Sequence, residues 1–140
     1  MTRSIDQISF DALTPGVRDN TRTCPTCSGV GVLTATDLFC GAGGSSLGLE
    51  KVRCPSCGRS LIEVKYALNH WDLAIQAHNA NFPKADHAIN GAGEVAPSIF
   101  GYTDLGWFSP ECTNYSSAKG AKDNSEQAIR SRATFNDIIR

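Results

Sequence analysis

Apolar and polar positions along the chain follow two periods that take turns. Leu33-Thr34-Ala35-Thr36-Asp37-Leu38-Phe39 is a β-branched and apolar run, which predicts a strand. It leads into Gly41-Ala42-Gly43-Gly44, after which Ser45-Ser46-Leu47-Gly48-Leu49-Glu50 reads as a short helix. Ile62 to Leu68 alternates like a second strand, and Asp72 is placed to cap a helix carrying Leu73, Ala74, Ala77 and His78 before Pro83 stops it. Ala85 to Ile89 predicts a short third strand, and Leu105-Gly106-Trp107-Phe108 a fourth that ends at Ser109-Pro110. From Asn124 to Arg140, Asn124 and Gln127 stand at capping-box spacing, and Ile129, Ala133, Phe135, Ile138 and Ile139 predict a helix with a broad apolar face. Strands alternating with helices imply an α/β fold with a parallel sheet, whose ligands bind beyond the carboxyl ends of the strands. Phe39-Cys40-Gly41, Asn69-His70-Trp71 and Ser109-Pro110-Glu111-Cys112 all fall at that edge.

Residues 1–23 sustain neither period and are broken by Pro15-Gly16, so they read as a flexible N-terminal arm before a domain over 24–140. The 140 residues, 41% of them hydrophobic, suit one globular domain and exclude a disordered or fibrous chain. A net charge of −1 supplies no overall attraction to nucleic acid. The start lacks the apolar stretch of a signal peptide, and no later run could span a bilayer, so a cytoplasmic protein with no membrane partner is expected.

In that setting the 6 cysteines read as thiols, metal ligands or a nucleophile. Cys24-Pro25-Thr26-Cys27 and Cys54-Pro55-Ser56-Cys57 are two knuckle-like pairs, together able to offer four thiolates to one structural zinc ion. The segment between them holds the first strand and its helix. The amino end of a strand and the carboxyl end of the following helix lie at one edge of a βα unit, so both pairs are placed to meet opposite the glycine turn. The alternative is unliganded thiols on surface loops. Arg22, Arg53 and Arg59 form a modest basic set beside the knuckles, with no recognition helix, which favours a scaffold over a DNA reader. His78 and His87 lack paired ligand spacing and are expected to pack or to face solvent.

A glycine turn between strand and helix lets backbone amides approach an anionic ligand group. Ser46 stands where the third glycine of GxGxxG would be, and a plain connection without ligand is the other reading of the turn. Cys112, after a strand and a proline, is a candidate nucleophile, although a lone cysteine also suits inert packing.

Taken together, Asp37-Leu38-Phe39-Cys40-Gly41-Ala42-Gly43-Gly44-Ser45-Ser46-Leu47-Gly48-Leu49-Glu50 closely resembles the first motif of cytosine-C5 DNA methyltransferases. Asn69-His70-Trp71-Asp72 with Asn81-Phe82-Pro83 is similar to the second motif of that family. Ser109-Pro110-Glu111-Cys112 with Ser116 resembles its Pro-Cys catalytic loop, in a form similar to phage and actinobacterial members. The resemblance covers about residues 33–140 and implies a Rossmann-like, S-adenosylmethionine-dependent methyltransferase fold acting on double-stranded DNA, with the zinc knuckles inserted. It implies that Phe39 and Trp71 pack against the adenine. The amides around Gly41, Ala42, Gly43 and Gly44 then hold the methionine end, and Asp37, Cys40 and Pro110 belong to the same cofactor-binding site. Cys112 becomes the nucleophile: its thiolate adds to C6 of a flipped cytosine, C5 takes the methyl group, and loss of the C5 proton and of the thiol restores the ring.

The chain departs from the family pattern in places. His70 stands where a ribose-binding Glu is usual, with Asp72 as the neighbouring acceptor, and Asn90 stands nearest to an adenine-binding Asp. Glu111 replaces a proline and sets a carboxylate beside the thiol, which disfavours the thiolate. No Glu-Asn-Val motif is found, nor a target-recognition region, and Arg130-Ser131-Arg132 reads as a solvated helix face. These absences imply an incomplete sheet in a truncated product or fragment, completed by another subunit or an oligomer, with a noncatalytic zinc-stabilised domain that binds S-adenosylmethionine or nucleic acid as the alternative.

Overall fold

The computed structural model of the chain describes residues 23–24, 26–29, 31–116, 120 and 123–138. The expected arm over 1–23 lies outside the described residues except for Thr23, as do Arg22, Ile139 and Arg140. Four strands, β1 (Leu33–Leu38), β2 (Ile62–Asn69), β3 (Asp86–Ile89) and β4 (Leu105–Phe108), form one sheet in the order β3-β2-β1-β4. Every pairing is parallel. Helices α1 (Gly44–Glu50) and α2 (Asp72–Asn81) connect β1 to β2 and β2 to β3, and two 3-10 turns, Ala92–Glu94 and Pro97–Phe100, lead back to β4. The reversal of strand order between β1 and β4 creates the crevice in which α/β sheets of this type bind ligands.

Both faces of the sheet are covered, by different elements. On one face Leu49 of α1 packs with Ala35, Val64, Phe82 and Ala85, and Ile75 of α2 packs with Ala67 and Cys40. On the other, Phe100 packs with Leu68 and Ala88, joined by the half-buried Tyr66 and Leu38. A shift of register between Ala35 and Thr36, opposite Val64 and Tyr66, lets Val64 and Ala67 serve the helical face despite their odd spacing. β4 is locked to β1 by side chains as well as backbone. The Asp104 carboxylate accepts from the Thr34 amide at 2.8 Å and from its hydroxyl at 3.0 Å, and Thr36 and Thr103 share a hydroxyl bond at 2.9 Å.

Two helix expectations change. Trp71, with extended backbone, occupies the cap position of α2, and Asp72 is its first residue; that carboxylate accepts from Gln76 at 2.8 Å and sits favourably at the positive end of the helix. The last helix, α3, runs only over Glu126–Ala133, with a 3-10 turn at Asn136–Ile138. Ser125 caps it by accepting from the Ala128 amide, and Ala128 and Ser131 form its buried side. Ile129 and Phe135 are half exposed, so the expected apolar face is not the packed one. Ser131 points inward, which corrects the reading of Arg130-Ser131-Arg132 as wholly solvated. Among the described residues no helix is long and apolar enough to cross a membrane.

Candidate functional site

The carboxyl end of β1 turns sharply. Phe39 takes a left-handed backbone at φ 61°, rare for a large side chain, followed by Gly41 at φ 53° and Gly43 at φ 102°. The turn is held by the Cys40 amide donating to the Leu68 carbonyl at 3.2 Å and the Gly43 amide donating to the Cys40 carbonyl at 3.0 Å. A Cβ on Gly43 would lie 2.5 Å from the Phe82 ring, so glycine is needed there both for conformation and for space. Gly41 and Gly44 would meet nothing within 4 Å, which leaves that side of the turn open for a ligand. Cys40, expected at this site, turns its side chain inward, and burial pushes its thiol up to about 12, with Asp37 adding to the effect. Only its backbone faces the turn.

Asp37 is fully buried beneath the turn. One oxygen, Oδ2, accepts from the hydroxyls of Ser45 and Ser46, both at 2.6 Å, while Oδ1 is buried without a partner. Burial holds this carboxyl above its ordinary value, and the serine bonds act against that. A buried carboxylate oxygen with no donor is an unmet acceptor that calls for an explanation.

At the end of β2, His70 is exposed and Trp71 is 60% exposed, with the Trp71 amide donating to Asn69 Oδ1 at 2.9 Å. Asn90, after β3, is joined by its amide to the Asn69 carbonyl at 3.1 Å, which brings it beside His70 and Trp71. β4 ends level with β1, since Leu38 pairs with Phe108, and the Ser109 amide donates to the Leu38 carbonyl at 3.2 Å. The segment Ser109-Pro110-Glu111-Cys112 therefore leaves the same edge as the glycine turn, on the adjacent strand. Cys112 is exposed. Its carbonyl accepts from the amides of Tyr115 and Ser116, and the Tyr115 hydroxyl donates to the Arg132 carbonyl, which fastens this loop to α3.

The second cluster lies at the other edge. The knuckles at Cys24 and Cys54 repeat each other bond for bond: each first cysteine donates its amide to the carbonyl five residues on, Gly29 or Arg59, and its carbonyl accepts from the amide four residues on, Ser28 or Gly58, all at 2.8 Å. Ser28 and Gly58 both take left-handed backbones, at φ 55° and φ 72°. The knuckles face each other with Cys24 and Cys57 sulfurs 3.6 Å apart and Cys27 and Cys54 sulfurs 3.7 Å apart. All of these cysteines are free. Tetrahedral zinc with Zn–S bonds of about 2.3 Å separates its sulfurs by about 3.8 Å, so the spacing suits a metal and is far too long for a disulfide. Cys24, Cys27 and Cys57 form a group that could hold an ion, and Cys54 stands beside them. Backbone N–H groups of Thr26 and Cys27 lower the Cys24 thiol to about 6 and those of Ser56 and Cys57 lower Cys54, while the neighbouring sulfurs raise Cys27 to about 12 and also raise Cys57, so within each knuckle the first cysteine is the readier thiolate. The Arg59 guanidinium donates to the Cys24 sulfur at 3.6 Å. Next to the cluster is a cleft of about 490 Å³ whose lining includes Lys51, Arg53, Arg59 and Lys84.

Sequence reading missed one feature. His78 and His87, expected as ordinary packing or surface residues, are both buried, and they are bonded to each other at 2.8 Å through His78 Nδ1 and His87 Nε2. His78 Nε2 lies 2.9 Å from the Ser46 hydroxyl, which joins the pair to Asp37. The available signal was the place of His78 on the face of α2 that also carries Ala74 and Ile75, where a polar side chain must find partners.

The family model for C-5 cytosine-specific DNA methylases matches residues 33–140. Among solved structures, the chain is similar to an E. coli chain assigned as a DNA modification methyltransferase encoded within a prophage, with a TM-score of 0.55 and 23% identity. That likeness covers 76% of this chain but 28% of the other, and at such identity it bears on the fold. No curated protein matches the chain.

Proposed function

The chain belongs to the C-5 cytosine-specific DNA methylase family, and from that premise we propose that residues 24–140 carry the cofactor-holding and nucleophile-bearing part of a DNA (cytosine-5-)-methyltransferase. The observation that carries this reading is the register of β1 against β4, which sets the glycine turn and the Cys112 loop side by side at one sheet edge. The residues present fit S-adenosylmethionine. The open side of Gly41 and Gly44 admits its amino-acid end, with the unpartnered Asp37 Oδ1 as an acceptor for a cationic group. Phe39 and the exposed Trp71 are the aromatic surface we assign to the adenine, with His70, Asn90 and Pro110 following strands at the same sheet edge. When bound, this cofactor supplies an electrophilic methyl group on a sulfonium.

The rest is the work of Cys112. As thiolate it forms a bond to C6 of a cytosine flipped from double-stranded DNA, which moves electron density onto C5 and makes that carbon nucleophilic. Once the C5 proton has left, the sulfur departs with the electrons of the C6–S bond and aromaticity returns. Glu111, exposed beside Cys112, leaves room for its carboxylate to turn to solvent. At the opposite edge Cys24, Cys27, Cys54 and Cys57 would hold a structural zinc ion, which would supply a cross-link around the first βα unit.

Two measurements on the full chain test the reading. Calorimetry with S-adenosylmethionine should give a saturable heat that Asp37→Asn weakens. Duplex DNA containing 5-fluorocytosine should form a denaturant-resistant adduct in the presence of the cofactor, and Cys112→Ser should abolish the adduct while leaving the heat in place. Absence of the heat overturns the cofactor assignment. Heat without an adduct identifies a domain that binds without turnover.

A further inference from the structure

Four buried side chains from four different elements form one unbroken line. Asp37 is the penultimate residue of β1, Ser46 lies in the first turn of α1, His78 in α2 and His87 in β3, and the successive links are 2.6, 2.9 and 2.8 Å. Asp37 and His78 are wholly inaccessible, and Ser46 with them. The Phe82 ring packs against His78 at 4.8 Å between centroids and closes that side. The line is buried, so its protons obey the bonding arithmetic of these four groups together with the Ser45 hydroxyl on Asp37 and the Ala85 backbone beside His87.

A serine hydroxyl has one hydrogen to give, and a neutral imidazole has one donor and one acceptor nitrogen. If Asp37 is ionised, Ser46 must donate to it. The hydroxyl oxygen then accepts from His78 Nε2–H, and His78 Nδ1 accepts from His87 Nε2–H. Every donor points toward the carboxylate. If Asp37 is protonated and donates to Ser46, every link reverses: Ser46 donates to His78 Nε2, and His78 Nδ1–H donates to His87 Nε2. A proton on Asp37 Oδ2 that is given to Ser46 is thus written into the tautomers of both histidines, whereas a proton on Oδ1 or one aimed at Ser45 leaves every link as it was. Asp86 neighbours His87 on β3 and, with a bond to the backbone of Ala85, favours protonation of that ring, against the larger effect of burial. At the other end, the unpartnered Asp37 Oδ1 lies under the open glycine turn.

We propose that Ser46, His78 and His87 are positioning residues, a buried relay that orients Asp37 and links its ionisation to the tautomers of two histidines when a cationic ligand binds at the glycine turn. The proposal rests on the cofactor reading only for the identity of that ligand. A positive charge near Oδ1 stabilises the ionised carboxylate, and with it the Nε2–H form of both rings. In return, a donor at position 87 holds the carboxylate ready.

Nitrogen-15 NMR of the imidazoles reads the tautomers directly. Saturating S-adenosylmethionine should place His78 and His87 with Nε2 protonated. His87→Leu, which removes the donor, should weaken cofactor binding about tenfold, and His87→Gln, which restores an N–H at that reach, should recover most of the loss. Thermal unfolding of each variant shows that the comparison is made on folded protein. An Nδ1–H tautomer of His78 in the saturated protein overturns the relay, as does a folded His87→Leu that binds like the parent. If the parent gives no binding heat, the cofactor reading fails, and the relay is judged by acid titration of the free protein: His78 must switch from the Nε2–H to the Nδ1–H form as Asp37 takes up its proton, and a tautomer that stays unchanged overturns it.

Discussion

At Gly43 the backbone stands at φ 102°, and the Phe82 and His78 rings close in where a side chain would begin. Gly41 shares the left-handed conformation but has nothing near it. The two glycines therefore separate backbone strain from crowding. Gly41→Ala carries the conformational cost alone, about 1 kcal/mol. Gly43→Ala must also displace Phe82, a member of the core cluster, and should cost about 2 kcal/mol or more. Urea unfolding of the two variants measures the difference, and equal midpoints would show that Phe82 yields freely. Phe39 holds a left-handed conformation without being glycine, and such strain is commonly found where a ligand is gripped.

Each knuckle is a short element with its own internal bonding, and the two meet through their sulfurs. Metal analysis of protein purified without added zinc should find one zinc per chain. A strong chelator, or Cys57→Ser, should lower the Tm by about 10 °C or more. A metal-free protein with an unchanged Tm would count against the cluster. The meeting of the two knuckles was legible from spacing, because Cys-Pro-x-Cys fixes a local loop and the βα rule places the two loops together. The four strands were legible for a similar reason: β-branched alternation and the glycine and proline breaks are local signals. α3 was misread in extent, since Ile129 and Phe135 mark an apolar stripe that the fold leaves half exposed while it buries Ala128 and Ser131. The relay was not legible at all. Its members come from four elements, and no periodicity relates a serine in one helix to histidines in another helix and a strand.

For the molecule as a whole, the buried polar line makes stability depend on pH in two opposing ways. Burial lowers His78 to about 4 and, with less effect, lowers His87. The unfolded chain takes up protons below about 6.5 that the fold refuses, so this stability is complete above that pH and is lost as pH falls toward 4. For His78 the loss amounts to about 3 kcal/mol. Asp37 acts in the other sense: its raised value means that the neutral carboxyl suits the fold, and its share of stability is lost as pH rises through that value. The histidines should dominate between pH 6.5 and 4. Urea midpoints should fall across that window, and the fall should shrink in His78→Gln; a flat profile would contradict the neutral buried pair. The facing knuckles bear on the molecule in another way. Cys27 precedes β1 and Cys54 follows α1, so an ion seated among the sulfurs turns that stretch of chain into a closed circuit with the glycine turn at its far end. A peptide bond cut anywhere along the circuit would leave both pieces yoked to the same atom.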